Sequence, residues 1–263
     1  MNNTAKTQMK DGHTVKPDDI SSPEFICTVN ENLTLIQRRD GLTFGTDAYL
    51  LAAYVRPSKY AIAAELGGGT GIVSLLCAVR SKIQRVFSVE VQKEYALLIE
   101  KNARYNRLSD KVISRHADIR DITPADFERE LDIVITNPPY MRTDSGKPNE
   151  STEKNIARHE VFGSIYDFCA SSARLLKYGG LFYCVYRPDR LVDLIDACRK
   201  SRLEPKRATF VYPDTTSPPS LVLLEAKKEG APSLIITPPL IIYKEGTREY
   251  TEQMQRVYDT GIL

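Results

Sequence analysis

Asn137, Pro138, Pro139 and Tyr140 follow an apolar run, Ile133 to Ile135, in the stretch DIVITNPPYMRT. The run has the composition of a buried strand. Proline lacks the donor that a strand ladder requires, so the strand must stop at Asn137. An amide side chain and a proline carbonyl then stand at one strand end, with no backbone donor from either proline to compete for them. Both prolines fix φ, so these acceptors are in place before a ligand arrives. Two acceptors suit an NH2 group, and the Tyr140 ring adds a face on which a planar group can stack. The chemistry indicated is recognition of a planar amine or amide. A proline-rich turn leaving a strand would account for Pro138 and Pro139 alone, but not for the amide and ring that flank them.

A second cluster lies upstream. The stretch ELGGGTGIVSLLCA places Gly67, Gly68, Gly69 and Gly71 between a strand candidate and a helix candidate. Glycines allow a sharp turn and close approach of a ligand, while the first amide groups of the helix point toward it. Such a loop serves dinucleotides and S-adenosylmethionine alike. Glu90 closes the next strand candidate nineteen residues after Gly71, where an acid can accept hydrogen bonds from both ribose hydroxyls of an adenosine. Glu65, just before the glycines, would repel a pyrophosphate but suits the ammonium of a methionine moiety, which favours S-adenosylmethionine. Asp118 ends the third strand candidate and is placed to meet an adenine amino group, although a turn or cap acid would also fit there.

These residues need strand ends to hold them, and the chain supplies a regular series. From Tyr60, the strand candidates YAIAAEL, RVFSVEV, KVISRHAD and LDIVITN alternate with helical stretches at Ile72 to Arg80 and Lys93 to Asn106, with a weaker one near Ala125. This alternation predicts a mostly parallel sheet with right-handed crossovers and helices on both faces. A helix from about Val161 to Lys177, ending at Gly179-Gly180, is followed by strand LFYCVY, helix DRLVDLIDACRKS, and strands ATFVY and SLVLLEAK, for seven strands in all. Ahead of this core, LTLIQRRDGLTF alternates around Asp40-Gly41 as a hairpin would, and DAYLLAAYV has helical spacing. After it come a short strand pair, SLIIT and LIIYK, and a helix from Thr251. The expected division is a mobile segment at 1–23 and one domain at 24–263, made of a hairpin and helix lead-in (24–59), an α/β Rossmann-like core (60–228) and a C-terminal extension (229–263).

Composition narrows the partners only slightly. The 36 basic and 34 acidic residues nearly cancel, so no global field marks nucleic acid, although local patches remain open. The five cysteines, at 27, 77, 169, 184 and 198, have no CxxC spacing and read as core thiols in a reducing compartment. No apolar run approaches the roughly 20 residues of a membrane span, and the first 22 residues are polar. A cytoplasmic protein with no membrane association, no metal and no obligatory protein partner is expected.

Taken together, the Glu65 to Gly71 loop, Glu90, Asp118 and Asn137-Pro138-Pro139-Tyr140 resemble the class I S-adenosylmethionine-dependent methyltransferases of the NPPY type, which modify adenine N6, cytosine N4 or glutamine N5. With FGTDAYLLAAYV before the core, ARHE at Ala157 to Glu160 and the ending LIIYKEGTREYTEQMQRVYD, nearly the whole chain resembles the bacterial tRNA1(Val) adenine N6-methyltransferases. The glycine at position 68 is a mild departure from the usual GxGxG and should add flexibility. The resemblance implies S-adenosylmethionine as cofactor, held by Glu65, Gly67, Gly69, Gly71, Glu90, Asp118 and Asn137. It implies an adenine 3′ of the anticodon as target, with Asn137 and the Pro138 carbonyl accepting the two N6 hydrogens and Tyr140 stacking on the flipped base.

RNA phosphates could be met by Arg142, Lys147, Lys154 and Arg158 after the catalytic loop. RKSRLEPKR, with five basic side chains in nine positions including Arg199 and Arg202, could do the same or could be a solvated helix end. A release-factor glutamine N5-methyltransferase or a ribosomal RNA base amine methyltransferase would share the NPPY loop. A NAD-binding oxidoreductase or a non-catalytic cofactor-binding module would leave Asn137 to Tyr140 without a purpose.

Overall fold

The computed structural model describes residues 23–41, 44–139 and 163–263. Seven long strands form one sheet: β3 (Ser58–Leu66), β4 (Ile83–Glu90), β5 (Val112–His116), β6 (Leu131–Thr136), β7 (Leu176–Tyr186), β8 (Leu203–Tyr212) and β9 (Leu221–Lys228). Their spatial order is β8-β9-β7-β6-β3-β4-β5, and only β9 runs antiparallel to its neighbours. Two further strands of two residues each, β10 (Ile235–Ile236) and β11 (Leu240–Ile241), join the outer edge of β8 in parallel. The seven core strands are as expected, and the two short tail strands extend the sheet to nine. The SLIIT and LIIYK segments pair with β8 instead of with each other, because Pro238 and Pro239 between them cannot donate to a hairpin ladder.

Helices α1 (Thr46–Tyr54), α2 (Ile72–Val79), α3 (Lys93–Tyr105), α4 (Ile165–Leu175), α5 (Leu191–Lys200) and α6 (Glu252–Thr260) cover the two faces. One apolar core joins α1, α2, α3 and α6 to the sheet, and a second joins α4 and α5 to the other face. The stretch near Ala125 is a short 3-10 turn, Pro124–Phe127, that buries Phe127. Among the described residues, no helix is long and apolar enough to cross a membrane.

The lead-in hairpin differs from the sequence expectation. It pairs β1 (Glu24–Asn30) with β2 (Leu33–Arg38) around Glu31 and Asn32, not around Asp40-Gly41. Its β2 edge docks on α3 through two asparagines one turn apart. Asn106 bonds the backbone of Thr34 (Oδ1 from N at 3.0 Å, Nδ2 to O at 2.7 Å), and Asn102 does the same at Ile36 (2.7 and 3.0 Å). β2 ends at Arg38, and the chain runs on to Asp40 and Gly41, which line the cleft described below. Residues 1–22 lie outside the described residues, so the expectation for the segment 1–23 does too.

The β3 and β6 ends that matter for function are neighbours. Glu65 pairs with Ile135 and Leu66 with Thr136, and the buried Thr136 hydroxyl donates to the Leu66 carbonyl at 2.9 Å. The chain turns into the glycine loop at one of these ends and into Asn137-Pro138-Pro139 at the other. This is the switch point of a doubly wound sheet, where such folds place ligands.

Candidate active site

At that switch point opens a cleft of about 850 Å³, lined among others by Glu65, Gly67, Gly68, Gly69, Glu90, Asp118, Asn137, Pro138 and Pro139. The volume is of the size that takes a cofactor, within a typical range of about 300 to 1,000 Å³. Eight of the residues singled out in the sequence therefore share one wall system: Glu65, Gly67, Gly69, Glu90, Asp118, Asn137, Pro138 and Pro139. Gly71 is set back as the N-cap of α2, with φ of 82°. Tyr140, Arg142, Lys147, Lys154 and Arg158 lie outside the described residues.

The loop's shape follows from its glycines. Gly67 and Gly69 have φ of 75° and 53°, left-handed conformations that side chains rarely adopt. At Gly68 the requirement is room: an added Cβ would run into Ser88 Oγ and come within 2.9 Å of Ile99 Cδ1. Gly68 is therefore a close-approach residue rather than the source of flexibility that the sequence suggested. Asn102 Nδ2 donates to the Thr70 carbonyl at 3.0 Å, which ties the loop to α3.

The carboxylates are held differently from one another. Glu65 is buried and accepts at Oε2 from Ser74 N (3.1 Å), Ser74 Oγ and Ser88 Oγ (3.1 Å). Burial pushes its carboxyl up to about 7 against the pull of those three donors. Glu90 bridges two backbone donors, Gly69 N to Oε2 and Gln92 N to Oε1, both at 2.9 Å. Asp118 lies two residues beyond the end of β5 rather than in the strand. Its hydrogen bonds with the Arg120 side chain (2.9 and 2.5 Å) hold its carboxyl below the usual carboxylate range. The asparagine at the end of β6 is held from the lead-in: Asn137 Nδ2 donates to Asp47 Oδ2 at 2.9 Å.

Asp40 and Asp47 also line the cleft, giving five carboxylates on its wall, with no lysine or arginine among the described lining residues. Phe168 from α4 and Tyr95 from α3 complete the apolar part. Nothing in the sequence marks Asp47, Tyr95 or Phe168 as site residues, and Asp40 has only the chemistry of a hairpin turn. Within FGTDAYLL the helical spacing is legible, but the only signal for Asp47 is that of an acid in the first turn of a helix.

The two remaining basic residues are not brought to the cleft. Arg199 ends α5 and Arg202 precedes β8, at the end of the sheet away from the glycine loop. Both are exposed and ion-paired, Arg199 with Glu204 at 3.3 Å and Arg202 with Glu229 at 2.7 Å. The solvated helix end is what the fold provides there.

Strand order, glycine loop and acidic switch-point cleft together define the class I methyltransferase fold. A solved structure with that architecture, a predicted O-methyltransferase from Agrobacterium tumefaciens, superposes with a TM-score of 0.66 at 22% identity, covering 82% of this chain and 97% of that one. Residues 55–144 match the family model of the TRM5/TYW2 methyltransferase domain. In sequence the chain is similar over most of its length to proteins named tRNA1(Val) (adenine(37)-N6)-methyltransferase. That from Phocaeicola vulgatus is 29% identical over 198 residues, covering 75% of this chain and 82% of that protein. Its counterpart from Parabacteroides distasonis is 26% identical over 195 residues, covering 74% and 81%.

Proposed function

We propose that the chain is an S-adenosylmethionine-dependent methyltransferase acting on N6 of an adenine in tRNA, the adenine 3′ of the anticodon in tRNA1(Val). The observation that carries this reading is an acidic cleft that ends at the amide of Asn137. Five carboxylates and no cation among the described lining residues disfavour a pyrophosphate and suit a cofactor with a sulfonium and an ammonium. A dinucleotide oxidoreductase is therefore the poorer fit.

When bound, S-adenosylmethionine supplies an electrophilic methyl group. Glu65 would face the ammonium end, since its three protein donors all fall on Oε2. Glu90 would take the ribose hydroxyls with the lone pairs left after Gly69 and Gln92. Asn137 Oδ1 and the Pro138 carbonyl would accept the two hydrogens of the target amine. That leaves the nitrogen lone pair aimed into the cleft and stabilises the charge that develops as the new bond forms. The proton becomes acidic only then and can leave to water, so no dedicated base is required.

A glutamine amide offers the same NH2 as an adenine, so the acceptors alone do not choose between RNA and protein. The choice of tRNA is supported by the relatives, which share about three quarters of this chain. Labelled methyl transfer into separate pools of tRNA, ribosomal RNA and release factor tests it. Label in tRNA, recovered as N6-methyladenosine, is the expected result; label in release factor alone, at glutamine, would overturn it.

A further inference from the structure

We propose that Asp47 is a positioning residue that sets the direction of the Asn137 amide and thereby makes the site select an amine. The inference rests on the methyltransferase reading above and adds a residue that lies outside the glycine loop and the Asn-Pro-Pro-Tyr stretch.

An asparagine at a strand end can turn either face of its amide toward a ligand, since the oxygen and the NH2 are nearly the same shape. Which one it presents decides the chemistry. The oxygen accepts from an amine, whereas the NH2 would oppose an amine donor and welcome a carbonyl or ring nitrogen. An ionised carboxylate offers lone pairs only, so a carboxylate beside Asn137 can be faced only by the NH2. Asp47 Oδ2 stands 2.9 Å from Asn137 Nδ2. The amide oxygen is thereby turned away from Asp47, and both residues line the cleft.

The lead-in sequence is shaped to keep the carboxylate there. Asp47 is in the first turn of α1, two residues after the N-cap Gly45. Gly45 has φ of −113°, an angle open to any residue, so its identity is not set by the backbone. It is set by room: a Cβ at Gly45 would lie 2.6 Å from Asp47 Oδ1. The glycine leaves space for the carboxylate that reaches Asn137. The C-terminal end of the same helix is pinned by Lys82, whose Nζ donates to the carbonyls of Ala52, Ala53 and Val55 at 2.8, 3.0 and 2.8 Å, so α1 presents Asp47 from a fixed position.

A charge swap tests this. In Asp47→Asn the two amides can pair in either sense, so kcat for tRNA should fall. In Asn137→Asp two carboxylates face each other and kcat should fall further. In Asp47→Asn/Asn137→Asp the new amide donates to the new carboxylate, whose second oxygen faces the cleft as an acceptor, and kcat should recover about tenfold or more over Asn137→Asp alone, the size of a charge-assisted hydrogen bond. The affinity for S-adenosylhomocysteine should stay within about twofold throughout, because the pair orients the amine acceptor and not the cofactor. Gly45→Ala, which keeps Asp47 in the chain but displaces its carboxylate, should lower kcat as Asp47→Asn does while thermal unfolding stays unchanged. A double variant no more active than Asn137→Asp, or losses confined to cofactor affinity, would overturn the role of Asp47 and leave the proposed function standing. A wild-type protein that methylates no RNA would remove the function and this role with it.

Discussion

The amide nitrogen of Gly69, a left-handed residue of the glycine loop, donates to Oε2 of Glu90 at the end of the neighbouring strand, at 2.9 Å. Loop and Glu90 are thus one unit, so the conformation of one fixes the position of the other. On the proposed function, Glu90→Ala would remove the acceptor for the ribose hydroxyls and also free the loop. Losing hydrogen bonds to a charged acceptor costs about 1.5 to 3 kcal/mol, so affinity for S-adenosylhomocysteine should weaken roughly tenfold to a hundredfold. Calorimetric titration reads this directly, and an unchanged affinity would rule out Glu90 as the ribose acceptor.

With Glu65 facing the ammonium as proposed, cofactor binding should depend on pH. Burial raises its carboxyl to about 7, so in the absence of ligand it holds its proton at mildly acid pH. An ammonium favours the ionised form, so binding must release that proton below pH 7 and proceeds without release above it. Affinity for S-adenosylhomocysteine should therefore rise from about pH 6 to about pH 8 and then level off. Glu65→Gln should flatten that profile. A wild-type profile that is already flat would show that Glu65 does not meet the ammonium.

Asn137→Ala should abolish turnover while leaving cofactor affinity nearly intact, since in the proposed function its acceptor would face the target nitrogen and not the methyl donor. Single-turnover rates together with S-adenosylhomocysteine titration separate the two effects. Methylation at the wild-type rate would refute the amine-acceptor role.

The placement of basic residues gives a contrast within one assay. Arg142 and Arg158 follow the catalytic loop in sequence, whereas Arg199 and Arg202 sit at the far end of the sheet, paired with Glu204 and Glu229. Arg142→Ala/Arg158→Ala should weaken tRNA binding and flatten its dependence on log salt by about 0.7 to 0.9 per lost phosphate contact. Arg199→Ala/Arg202→Ala should change neither. Filter binding across a salt series would contradict this if the second pair proved the more damaging.

Lys82 supports the site from a distance. Lys82→Met leaves three α1 carbonyls without their donor in a buried place, each worth about 1 to 3 kcal/mol at most, partly relieved by relaxation of the helix end. Tm should fall by several degrees, at roughly 2 to 4 °C per kcal/mol for a chain of this size. An unaltered Tm would mean that the helix end finds other donors.

The site was legible in the sequence where backbone chemistry dictates residue type. Pro138 and Pro139 must end a strand, and Gly67 and Gly69 must turn sharply, so both could be placed at strand ends without coordinates. The sheet followed from the alternation of apolar runs, whose core strands carry their side chains into two cores. What escaped depended on partners distant in the chain. Asp47 is an ordinary first-turn acid until β6 brings Asn137 beside it, ninety residues on. The Asp40-Gly41 pair has hairpin chemistry, but the asparagines of α3 claim the β2 edge and that pair lines the cleft instead. Gly68 read as excess freedom because nothing local reveals Ser88 and Ile99 pressing against it. For Arg199 and Arg202 the sequence left a phosphate-binding patch and a solvated helix end both open; Glu204 lies in the same stretch, but Glu229, the partner of Arg202, is twenty-seven residues on.

Transfer to one exocyclic amine is tested most directly with two tRNA1(Val) transcripts. One carries adenine 3′ of the anticodon; the other carries purine there, which keeps the ring and lacks only the amino group. With labelled S-adenosylmethionine, nucleoside analysis should find N6-methyladenosine in the first transcript and no label in the second. Equal labelling of both transcripts would contradict the account.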